Sequence, residues 1–406
     1  MSHAKLDGKE IRVNFNSAAA IAGIGWTDYT RKSGRAVEQL ALEACKKAVE
    51  DAGLKTSEVD GLVTYGIGDT SMTSVVATGL GLPVLHHYAD YSAGGNMACG
   101  VVLHAAMAIA TGQATNVLVY RALNGASGVR YGGSRFSELL AESSVHSDAE
   151  PQFLDTAGIN MPAQHFALLC RRHMIKYGTT EEDLAAIAIN GRAHAVDNER
   201  AMKRAPMTLD DYRASPWIAE PFRLLDCCLQ SDGACALLLT STERARDLRH
   251  KPVTLRGGMT GAGPANRGLM WGNYWQEHAD CYAHFIADRL FAMADVTRGD
   301  LDFAQVYDCF TYSVISQFED FGLCEKGGAG AFFRAGHARI GGKLPVNTAG
   351  GLLSEAYIHG LNNVVEAVSQ LRGDAGARQV KGAELGLVTA GGATSTGSAL
   401  ILGVAA

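Results

Sequence analysis

One structural plan occurs twice along this chain of 406 residues, and this repetition limits its possible folds more than any other feature. Three parts of the first half have counterparts in the second. The pairs are AGLKTSEVDGLVTYG (52–66) with ADVTRGDLDFAQVYD (294–308), helix 98–110 and strand 116–120 with helix 353–371 and strand 385–390, and GACALLLTS (233–241) with GSALILGVA (397–405). No strict short period accompanies them, which excludes a solenoid. The sequence therefore predicts a duplicated α/β fold with a site between the halves.

The domain organisation follows from changes in polarity and residue pattern along the chain. Strand-length apolar runs alternate with helical patterns as far as strand 116–120, which predicts a mostly parallel sheet with helices on both faces. A polar, irregular excursion at about 124–223 then interrupts the first half. It contains a helix that begins after Thr180, an N-cap followed by acidic residues. We expect an N-terminal unit at 1–250 and a C-terminal unit at 251–406.

Composition and charge exclude several classes of function. Apolar residues make up 47% of the chain and charged residues 19%, so a folded core is expected rather than disorder. The formal charge is −6, and the dispersed Lys and Arg residues form no basic stripe for nucleic acid. Nine cysteines without a CxxC pair or a secretory leader indicate a reducing cytoplasm. Glycines and polar residues interrupt the charge-free stretch 91–120, which predicts a buried helix and strand and no membrane span.

Glycine pairs mark three turns at which a ligand could approach the backbone. They are Gly94 with Gly95, Gly350 with Gly351, and Gly391 with Gly392. Backbone N–H groups at such turns and at helix N-termini stabilise developing negative charge, although the same glycines are equally consistent with ordinary tight turns. None of these turns matches a phosphate-binding loop, and no spacing of Cys and His predicts a metal site.

Two further segments carry side chains that could act as acids, bases or hydrogen-bond donors. Tyr307 and Asp308 follow a buried strand pattern, at the strand end where doubly wound sheets bind their ligands. Glu355, Tyr357 and His359 follow the second glycine turn. Each tyrosine is also consistent with a core residue whose hydroxyl is satisfied, and His359 with a structural hydrogen-bonding role. Asp308 and Glu355 form a possible carboxylate pair, or one is a helix N-terminal acid and the other is solvated.

Four segments resemble the thiolase superfamily, and specifically its lipid-transfer and sterol-carrier branch. They are NGRAHAVDNERA (190–201), PFRLLDCCLQSDGACALLLTS (221–241), VYDCFTYSVISQFEDFGLC (306–324) and VNTAGGLLSEAYIHG (346–360). The resemblance extends over nearly the full chain. It implies two similar βαβαβαββ halves in a five-layered αβαβα arrangement, a loop excursion from the first half, a homodimer and acyl-CoA thioester substrates.

The chain departs from the thiolase pattern at all four catalytic positions. No thiol stands at 94–95, where the thiolase nucleophile is expected, and Cys99 lies about one turn further into the helix. The terminal catalytic cysteine is absent from the sequence TAGG at 389–392. Tyrosines stand at both histidine positions, Tyr307 in the HDCF motif and Tyr357 in the GHP motif. This pattern resembles the thiolase-like steroid side-chain aldolases, which cleave β-hydroxyacyl-CoA thioesters together with an OB-fold partner of the DUF35 type.

The resemblance implies a retro-aldol reaction with Tyr307 and Tyr357 as the catalytic pair. One tyrosine takes the proton of the β-hydroxyl group and the other stabilises the enolate, while the glycine turns supply further donors. Asp308, Glu355 and His359 are expected in supporting roles. No cofactor is expected, because CoA is part of the substrate. The implied products are a ketone and propionyl-CoA or acetyl-CoA.

Two other functions stay open at this point. A thiolase or acyltransferase that uses Cys99 would form an acyl-enzyme, and a non-catalytic acyl-CoA or lipid carrier would bind its ligand without turnover. A polar loop at 263–282 also remains open to several interpretations: it lines the acyl pocket, faces a partner, or is only anchored by its aromatic side chains. These side chains are Trp271, Tyr274, Trp275 and Tyr282.

Overall fold

The computed structural model describes residues 17–128, 156–159, 161–263 and 279–405. Its strands are β1 (Ala19–Trp26), β2 (Gly61–Gly66), β3 (His87–Ser92), β4 (Val117–Asn124), β5 (Trp217–Ala219), β6 (Phe222–Arg223), β7 (Asp232–Ser241), β8 (Val253–Ala262), β9 (Phe303–Gln305), β10 (Leu385–Ala390) and β11 (Thr396–Val404). Its α-helices are α1 (Val37–Ala52), α2 (Thr73–Leu80), α3 (Ala98–Ala110), α4 (Pro162–Tyr177), α5 (Glu181–Ala195), α6 (Leu209–Ala214), α7 (Thr242–Ala245), α8 (Tyr282–Ala294), α9 (Thr311–Asp320), α10 (Ala329–Arg334), α11 (Gly351–Ser354) and α12 (Leu361–Arg372).

Nine of these strands form one mixed sheet in the order β3-β2-β4-β7-β1-β8-β11-β10-β9. β2 pairs in parallel with β3 and β4, and β10 pairs in parallel with β9. The other neighbours are antiparallel. The prediction of a mostly parallel sheet was therefore wrong. Only the strand-helix-strand units of each half give parallel pairs, whereas β7 and β11 enter the sheet antiparallel to both of their neighbours.

The two halves repeat the same order of elements, as predicted. The first half runs β1-α1-β2-α2-β3-α3-β4-β7, and the second runs β8-α8-β9-α9, then α12-β10-β11. Short 3₁₀ turns at Thr56–Glu58 and Arg298–Asp300 precede β2 and β9 at equivalent places. A single parallel bridge between Val346 and Ala304 stands where the first half has β3. The duplication is therefore present with one strand shortened, while a division of the chain into units at residue 250 stays a prediction.

The helices and strands lie in five layers. α1 packs on one side of β1, β4 and β7, and α8 packs on β8 and β11 at the opposite side of the molecule. α3 and α12 contact strands of both halves and so form the central layer. The two parts of the sheet meet through only two residue pairs between β1 and β8, which lets them fold around these central helices. This is the predicted αβαβα arrangement.

The charge-free stretch 91–120 owes its composition to this central position. It contains α3, most of whose side chains are buried between strands of both halves, so the helix has little need of a charged face. Within the described ranges, no helix is both long enough and apolar enough to cross a bilayer. The predicted cytoplasmic location is not tested by this observation and stays a prediction.

The helix predicted over 353–371 is interrupted. α11 ends at Ser354 and α12 begins at Leu361, and residues 355–360 form a loop between them. Within this loop His359 has φ of 55° and Gly360 has φ of 93°. These left-handed values cannot continue a right-handed helix. The apolar periodicity runs across the loop because its residues are buried, so the pattern alone conceals the break.

The excursion contributes α4, α5, α6 and the hairpin β5-β6, and its residues 129–155 lie outside the described residues. α5 begins as predicted, with the Thr180 hydroxyl accepting the N–H of Asp183. Of the aromatic loop, Trp271, Tyr274 and Trp275 also lie outside the described part. Tyr282 is buried at the start of α8, where its hydroxyl donates to Gln317 Oε1 at 3.1 Å. This residue therefore belongs to the core.

Candidate active site

Tyr307 and Tyr357 meet in the interior of the molecule. Their hydroxyl oxygens lie 3.2 Å apart, within hydrogen-bonding distance, although the residues are 50 positions apart in the chain. Both side chains are buried, Tyr307 after β9 and Tyr357 in the loop between α11 and α12. Burial raises the pKa of the Tyr307 phenol well above its usual value, so this side chain is protonated at neutral pH. The predicted catalytic pair is thus a pair of contacting hydroxyl groups.

Two glycines make room for the Tyr307 side chain. A Cβ atom at Gly95 would overlap the Tyr307 hydroxyl, and a Cβ atom at Gly360 would lie 2.7 Å from its ring. Gly95 opens the 3₁₀ turn that precedes α3. The tyrosine hydroxyl therefore occupies the space beside the turn where the thiolase nucleophile was expected. Gly360 was not singled out from the sequence, although a glycine directly after the YIH segment is consistent with such a close approach.

Replacing Gly95 by alanine is expected to reduce turnover about 100-fold, since a misplacement of about 1 Å can have this effect. The added methyl group must displace the Tyr307 hydroxyl. Steady-state kinetics of the purified variant would test this expectation. Gly299→Ala is the matched control, because a Cβ atom there meets only the Thr297 hydroxyl, at 3.7 Å. Equal activity of both variants would contradict the placement of Tyr307.

Short hydrogen bonds fasten the two tyrosine segments to each other. The Asn347 side chain accepts the N–H of Val306 at 2.7 Å and donates to its carbonyl at 2.9 Å. The segment 221–241, one of the four that resemble the thiolase superfamily, forms hydrogen bonds with both tyrosine segments. The N–H of Cys228 donates to the Cys309 carbonyl at 2.9 Å, and the Ser231 hydroxyl accepts the N–H of Tyr357 at 2.9 Å.

The quoted segment 190–201 supports the second tyrosine segment from the other side. Asn190 donates to the Val346 carbonyl at 3.2 Å, and Asn198 donates to the Ala349 carbonyl at 2.9 Å. Arg192 donates to the Ser354 hydroxyl at 3.0 Å. All four segments that carry the family resemblance therefore converge around the tyrosine pair.

Asp308 connects the strand end to the glycine turn. Its carboxylate accepts the N–H of Leu352 at 2.8 Å and that of Leu353 at 3.3 Å, at the start of α11. A Cβ atom at Gly351 would overlap this carboxylate, which requires a glycine there. Burial raises the pKa of Asp308 to about 7, although these hydrogen bonds act in the opposite direction. Asp308 thus positions the turn that leads to Tyr357.

The pKa of Asp308 makes stability depend on pH. The unfolded carboxyl group ionises near 3.8, whereas the folded group holds its proton up to about pH 7. The contribution of Asp308 to the free energy of unfolding is therefore fully present below the unfolded pKa, and it is lost as the pH rises towards the folded pKa. We expect wild-type unfolding free energy, relative to Asp308→Asn, to fall by on the order of 3 kcal/mol over that range. Urea unfolding at several pH values measures this difference. Asp300→Asn is the control, because hydrogen bonds from Thr297 lower the pKa of that exposed carboxyl.

Glu355 forms an ion pair rather than a carboxylate pair with Asp308. Its carboxylate accepts hydrogen bonds from Arg200 Nε at 3.0 Å, Asn198 at 3.0 Å and Asn362 at 2.9 Å. Arg200 also binds Glu366 at 2.7 Å. The possible pairing of the two carboxylates is therefore not observed. Glu355 anchors the beginning of the loop that carries Tyr357, and this anchoring is its contribution to the site.

The glycine turns differ in what they offer a ligand. The N–H of Gly350 donates to the Asn347 carbonyl at 2.9 Å, and a Cβ atom at Gly350 would lie 2.6 Å from Ala195. The N–H of Gly350 is thus used within the turn, and both glycines are required for packing, whereas a donor role of Gly351 stays a prediction. Gly391 and Gly392 lie next to the strand residue Thr389, whose hydroxyl accepts the N–H of Tyr307 at 3.1 Å. The donor role at 391–392 and at 94–95 stays a prediction.

Cys99 is poorly placed to act as a nucleophile. It is buried within α3, and its thiol donates to the Val388 carbonyl at 3.5 Å on β10. Burial raises the pKa of Cys99 well above its usual value, so a thiolate is not formed at neutral pH. Cys309 lies nearer to the tyrosines in the chain, but burial raises its pKa to about 12. These findings oppose the acyl-enzyme alternative.

His359 has partners that sequence reasoning missed. Its Nδ1 atom lies 3.0 Å from Arg121 Nη2, and Arg121 also donates to Asp69 Oδ2 at 2.6 Å. Its ring centroid is 5.2 Å from that of Tyr357. A signal for Arg121 existed, because a charged residue in the apolar strand sequence VLVYRALN requires a buried partner. Asp69 had no comparable signal.

One cluster of possible metal ligands occurs in the described residues, and a lysine already occupies it. Asp280, His284 and Asp320 offer ligand atoms close together. Lys326 Nζ lies 3.0 Å from Asp280 and 2.5 Å from Asp320, so its ammonium group provides the positive charge there. This arrangement does not test the predicted absence of a metal or cofactor, which stays a prediction.

Comparison with known proteins identifies relatives of this chain. Residues 280–404 match the thiolase C-terminal domain-like family. The chain is 44% identical to a steroid side-chain-cleaving aldolase of Thermomonospora curvata, over 95% of this chain and 98% of that protein. It is 41% identical to the 17-hydroxy-3-oxo-4-pregnene-20-carboxyl-CoA lyase of Mycobacterium tuberculosis, over 95% and 99% of the two chains.

A solved structure is also similar to this chain over nearly its full length. The Ltp2-ChsH2(DUF35) aldolase superposes with a TM-score of 0.88 at 42% identity, covering 96% of this chain and 98% of that one. The predicted thiolase fold and the resemblance to the side-chain aldolases are both confirmed. This chain belongs to the thiolase-fold family of the steroid side-chain-cleaving aldolases.

Proposed function

We propose that this protein is a carbon–carbon lyase that cleaves a β-hydroxyacyl-CoA by a retro-aldol reaction, with a steroid side-chain thioester as substrate. The observation that carries the proposal is the hydroxyl pair of Tyr307 and Tyr357, 3.2 Å apart beside a turn that lacks a thiol. The relatives named as an aldolase and as a CoA lyase support the reaction class. The lyase named for its 17-hydroxy-20-carboxyl-CoA substrate supports a tertiary alcohol at the β position.

The contact between the two hydroxyls supports a proton relay. One tyrosine oxygen accepts the proton of the substrate hydroxyl as its own proton passes to the partner tyrosine. The bond between the α and β carbons breaks, the β carbon becomes a ketone, and the electron pair enters the thioester enolate. In the same step the partner tyrosine gives its own proton to the α carbon, so neither tyrosine oxygen carries two protons. The hydroxyl proton thus ends on the acyl-CoA product, and no other reactant is consumed.

This relay suits the protonation state of the site. A buried phenol with a raised pKa is a weak acid, so a free phenolate of Tyr307 is not available at neutral pH. Passing a proton along a hydrogen-bonded pair avoids a charged phenolate intermediate, because each oxygen gains one proton as it loses another. The backbone donors at 391–392 and 94–95 are proposed to stabilise the enolate oxygen.

The proposal includes an OB-fold partner of the DUF35 type. The description of the similar solved aldolase names a DUF35 component beside Ltp2, which supports such a partner here. The decisive experiment is to purify the full chain with and without a DUF35 protein and to add 17-hydroxy-3-oxo-4-pregnene-20-carboxyl-CoA. Mass spectrometry should detect a 17-oxo steroid together with propionyl-CoA. A rate that depends on the partner would establish the two-component assembly.

Two other outcomes would overturn the proposal. An acyl adduct on a cysteine without cleavage would make the protein an acyltransferase. Saturable binding of the thioester without any product, in the presence of the partner, would make it a carrier. The cleaved products distinguish the retro-aldol reaction from both, since neither alternative generates a ketone from the steroid.

A homodimer is also proposed, formed through the edge of the large sheet. β3 is the terminal strand there, and within the described residues it pairs only with β2. Tyr88 on β3 is 68% exposed and Met72, at the start of α2, is 59% exposed. An open edge with exposed apolar side chains favours pairing with another strand. Light scattering of the wild type and of Tyr88→Glu tests this proposal. We expect a dimeric wild type and a weakened dimer in Tyr88→Glu, and a monomeric wild type would contradict the proposal.

A further inference from the structure

Arg121 is a fully buried charged residue close to the tyrosine pair. It lies on β4, and its side chain is inaccessible to solvent. Asp69 neutralises it through a hydrogen bond of 2.6 Å, and the Ala122 carbonyl accepts a second hydrogen bond at 2.8 Å. Burial by itself would raise the pKa of Asp69. The positive charge of Arg121 and its hydrogen bond contribute to the opposite effect, and the pKa of Asp69 is lowered. Arg121 is fully buried whereas the Asp69 side chain is 21% exposed, and burying even one charge of a pair is costly, so a specific role is worth seeking.

The contact of Arg121 with His359 determines which ring nitrogen carries hydrogen. Arg121 Nε and Nη2 lie 3.3 and 3.0 Å from His359 Nδ1. A guanidinium group has donors only, so Nδ1 must accept. His359 is therefore a neutral imidazole with its hydrogen on Nε2. Burial and the adjacent guanidinium lower the pKa of His359 to about 3, which agrees with a neutral ring near pH 7.

Tertiary contacts also hold the backbone of His359. The Tyr65 hydroxyl donates to the His359 carbonyl at 2.8 Å, and the Arg121 guanidinium lies 5.5 Å from the centre of the Tyr65 ring. The left-handed backbone of His359, with φ of 55°, is thus stabilised by tertiary contacts. Two residues earlier in the same loop stands Tyr357.

The second ring nitrogen of His359 lies next to the turn at 94–95. His359 Nε2 lies 3.5 Å from the position that a Cβ atom would occupy at Gly94. The next residue, Gly95, faces the Tyr307 hydroxyl, which contacts the Tyr357 hydroxyl. Three polar side-chain groups therefore converge on the turn at 94–95. Because neither glycine has a side chain, the backbone of this turn lies close to these groups. The proposed function places the enolate oxygen of the thioester at the same turn.

We propose that His359 is a further catalytic residue that donates its Nε2 hydrogen to the thioester oxygen as the enolate forms, and that Arg121 is the positioning residue that fixes this tautomer. The inference rests on the proposed retro-aldol function and adds a third group to it. His359 transfers no proton in this role; it stabilises the oxyanion by a hydrogen bond while the tyrosines move the hydroxyl proton. A neutral imidazole can do this because it keeps its N–H throughout the reaction.

The test compares two variants that differ mainly in the donor. His359→Gln and His359→Leu have similar side-chain size and meet the same positive φ, but only glutamine offers an N–H group. With the full chain and its DUF35 partner, His359→Leu should lower kcat about 100- to 1,000-fold with little change in KM, as for loss of one oxyanion donor. His359→Gln should recover most of that loss. Equal loss in both variants, or wild-type kcat in His359→Leu, would overturn the proposal.

A second measurement is independent of turnover. Nitrogen NMR of the chain labelled with ¹⁵N-histidine, with the His359 signals identified by their absence in His359→Gln, reports the tautomer directly. Wild type should show hydrogen on Nε2 alone at neutral pH. The double variant Arg121→Gln/Asp69→Asn, which removes both charges of the pair, should lose this single tautomer. Hydrogen on Nδ1 in wild type would refute the inference. If the wild type cleaves no thioester, the proposed function fails while the tautomer is still measured.

Discussion

Tyr307→Phe and Tyr357→Phe will each fold normally and lose most of their turnover. Removing one hydroxyl breaks the 3.2 Å contact, so a proton can no longer pass between the two residues. General acid–base groups typically contribute about 100- to 10,000-fold, and we expect a fall in kcat within this range for either variant. The double variant should lose little more than either single variant, because both hydroxyls serve one relay. Steady-state assay with the steroid thioester measures all three rates.

Tyr120→Phe provides a matched control. Tyr120 is also a buried tyrosine, and its hydroxyl donates to the Ser71 carbonyl at 2.8 Å in the outer layer of the first half. This substitution should cost about 1 kcal/mol of stability and leave kcat unchanged. Wild-type rates in both site variants would rule out the tyrosine pair. A loss in Tyr120→Phe as large as in the site variants would attribute the effect to folding.

Arg200→Met will reduce the free energy of unfolding by about 3 to 5 kcal/mol, the usual result of leaving buried charges without their partner. Arg200 binds Glu355 at 3.0 Å and Glu366 at 2.7 Å, and both carboxylates are 1% exposed. Arg378 remains as a partner of Glu366 at 3.0 Å, but among the described residues Glu355 keeps only its two asparagine donors. Urea unfolding at neutral pH measures the change. Activity should also fall, because Glu355 anchors the loop of Tyr357.

A surface ion pair supplies the comparison for this effect. Arg244 binds Glu58 at 3.0 Å, and both side chains are 39% exposed. Exposed pairs contribute about 0 to 1 kcal/mol, so Arg244→Met should lie within that range. A loss of less than about 1 kcal/mol in Arg200→Met would mean that the buried network around Glu355 has alternative partners.

Parts of the candidate site could be predicted from the chain alone. The spacing of Tyr307 and Tyr357 within two family motifs indicated a pair, and the structure places their hydroxyls in contact. Of the two interpretations of Asp308 and Glu355, the carboxylate pair is not observed, because each carboxylate meets partners from distant segments that no local pattern encodes. The interrupted helix at 355–360 was missed for a related reason: burial on all sides gives helix and loop residues the same apolar appearance.

The amino-acid sequence by itself determined the duplicated architecture, the helix and strand periods, and the positions of the tyrosines and glycines, because these depend on local spacing and residue type. Only the tertiary structure decided the direction of the strands, the break before α12, and the choice of partner for each buried charge. Arg121 illustrates the difference. Its charge inside an apolar strand shows that a partner must exist, but Asp69 and His359 are 52 and 238 positions away. Desolvation makes such a partner necessary, and the folded chain alone determines which residues can reach it.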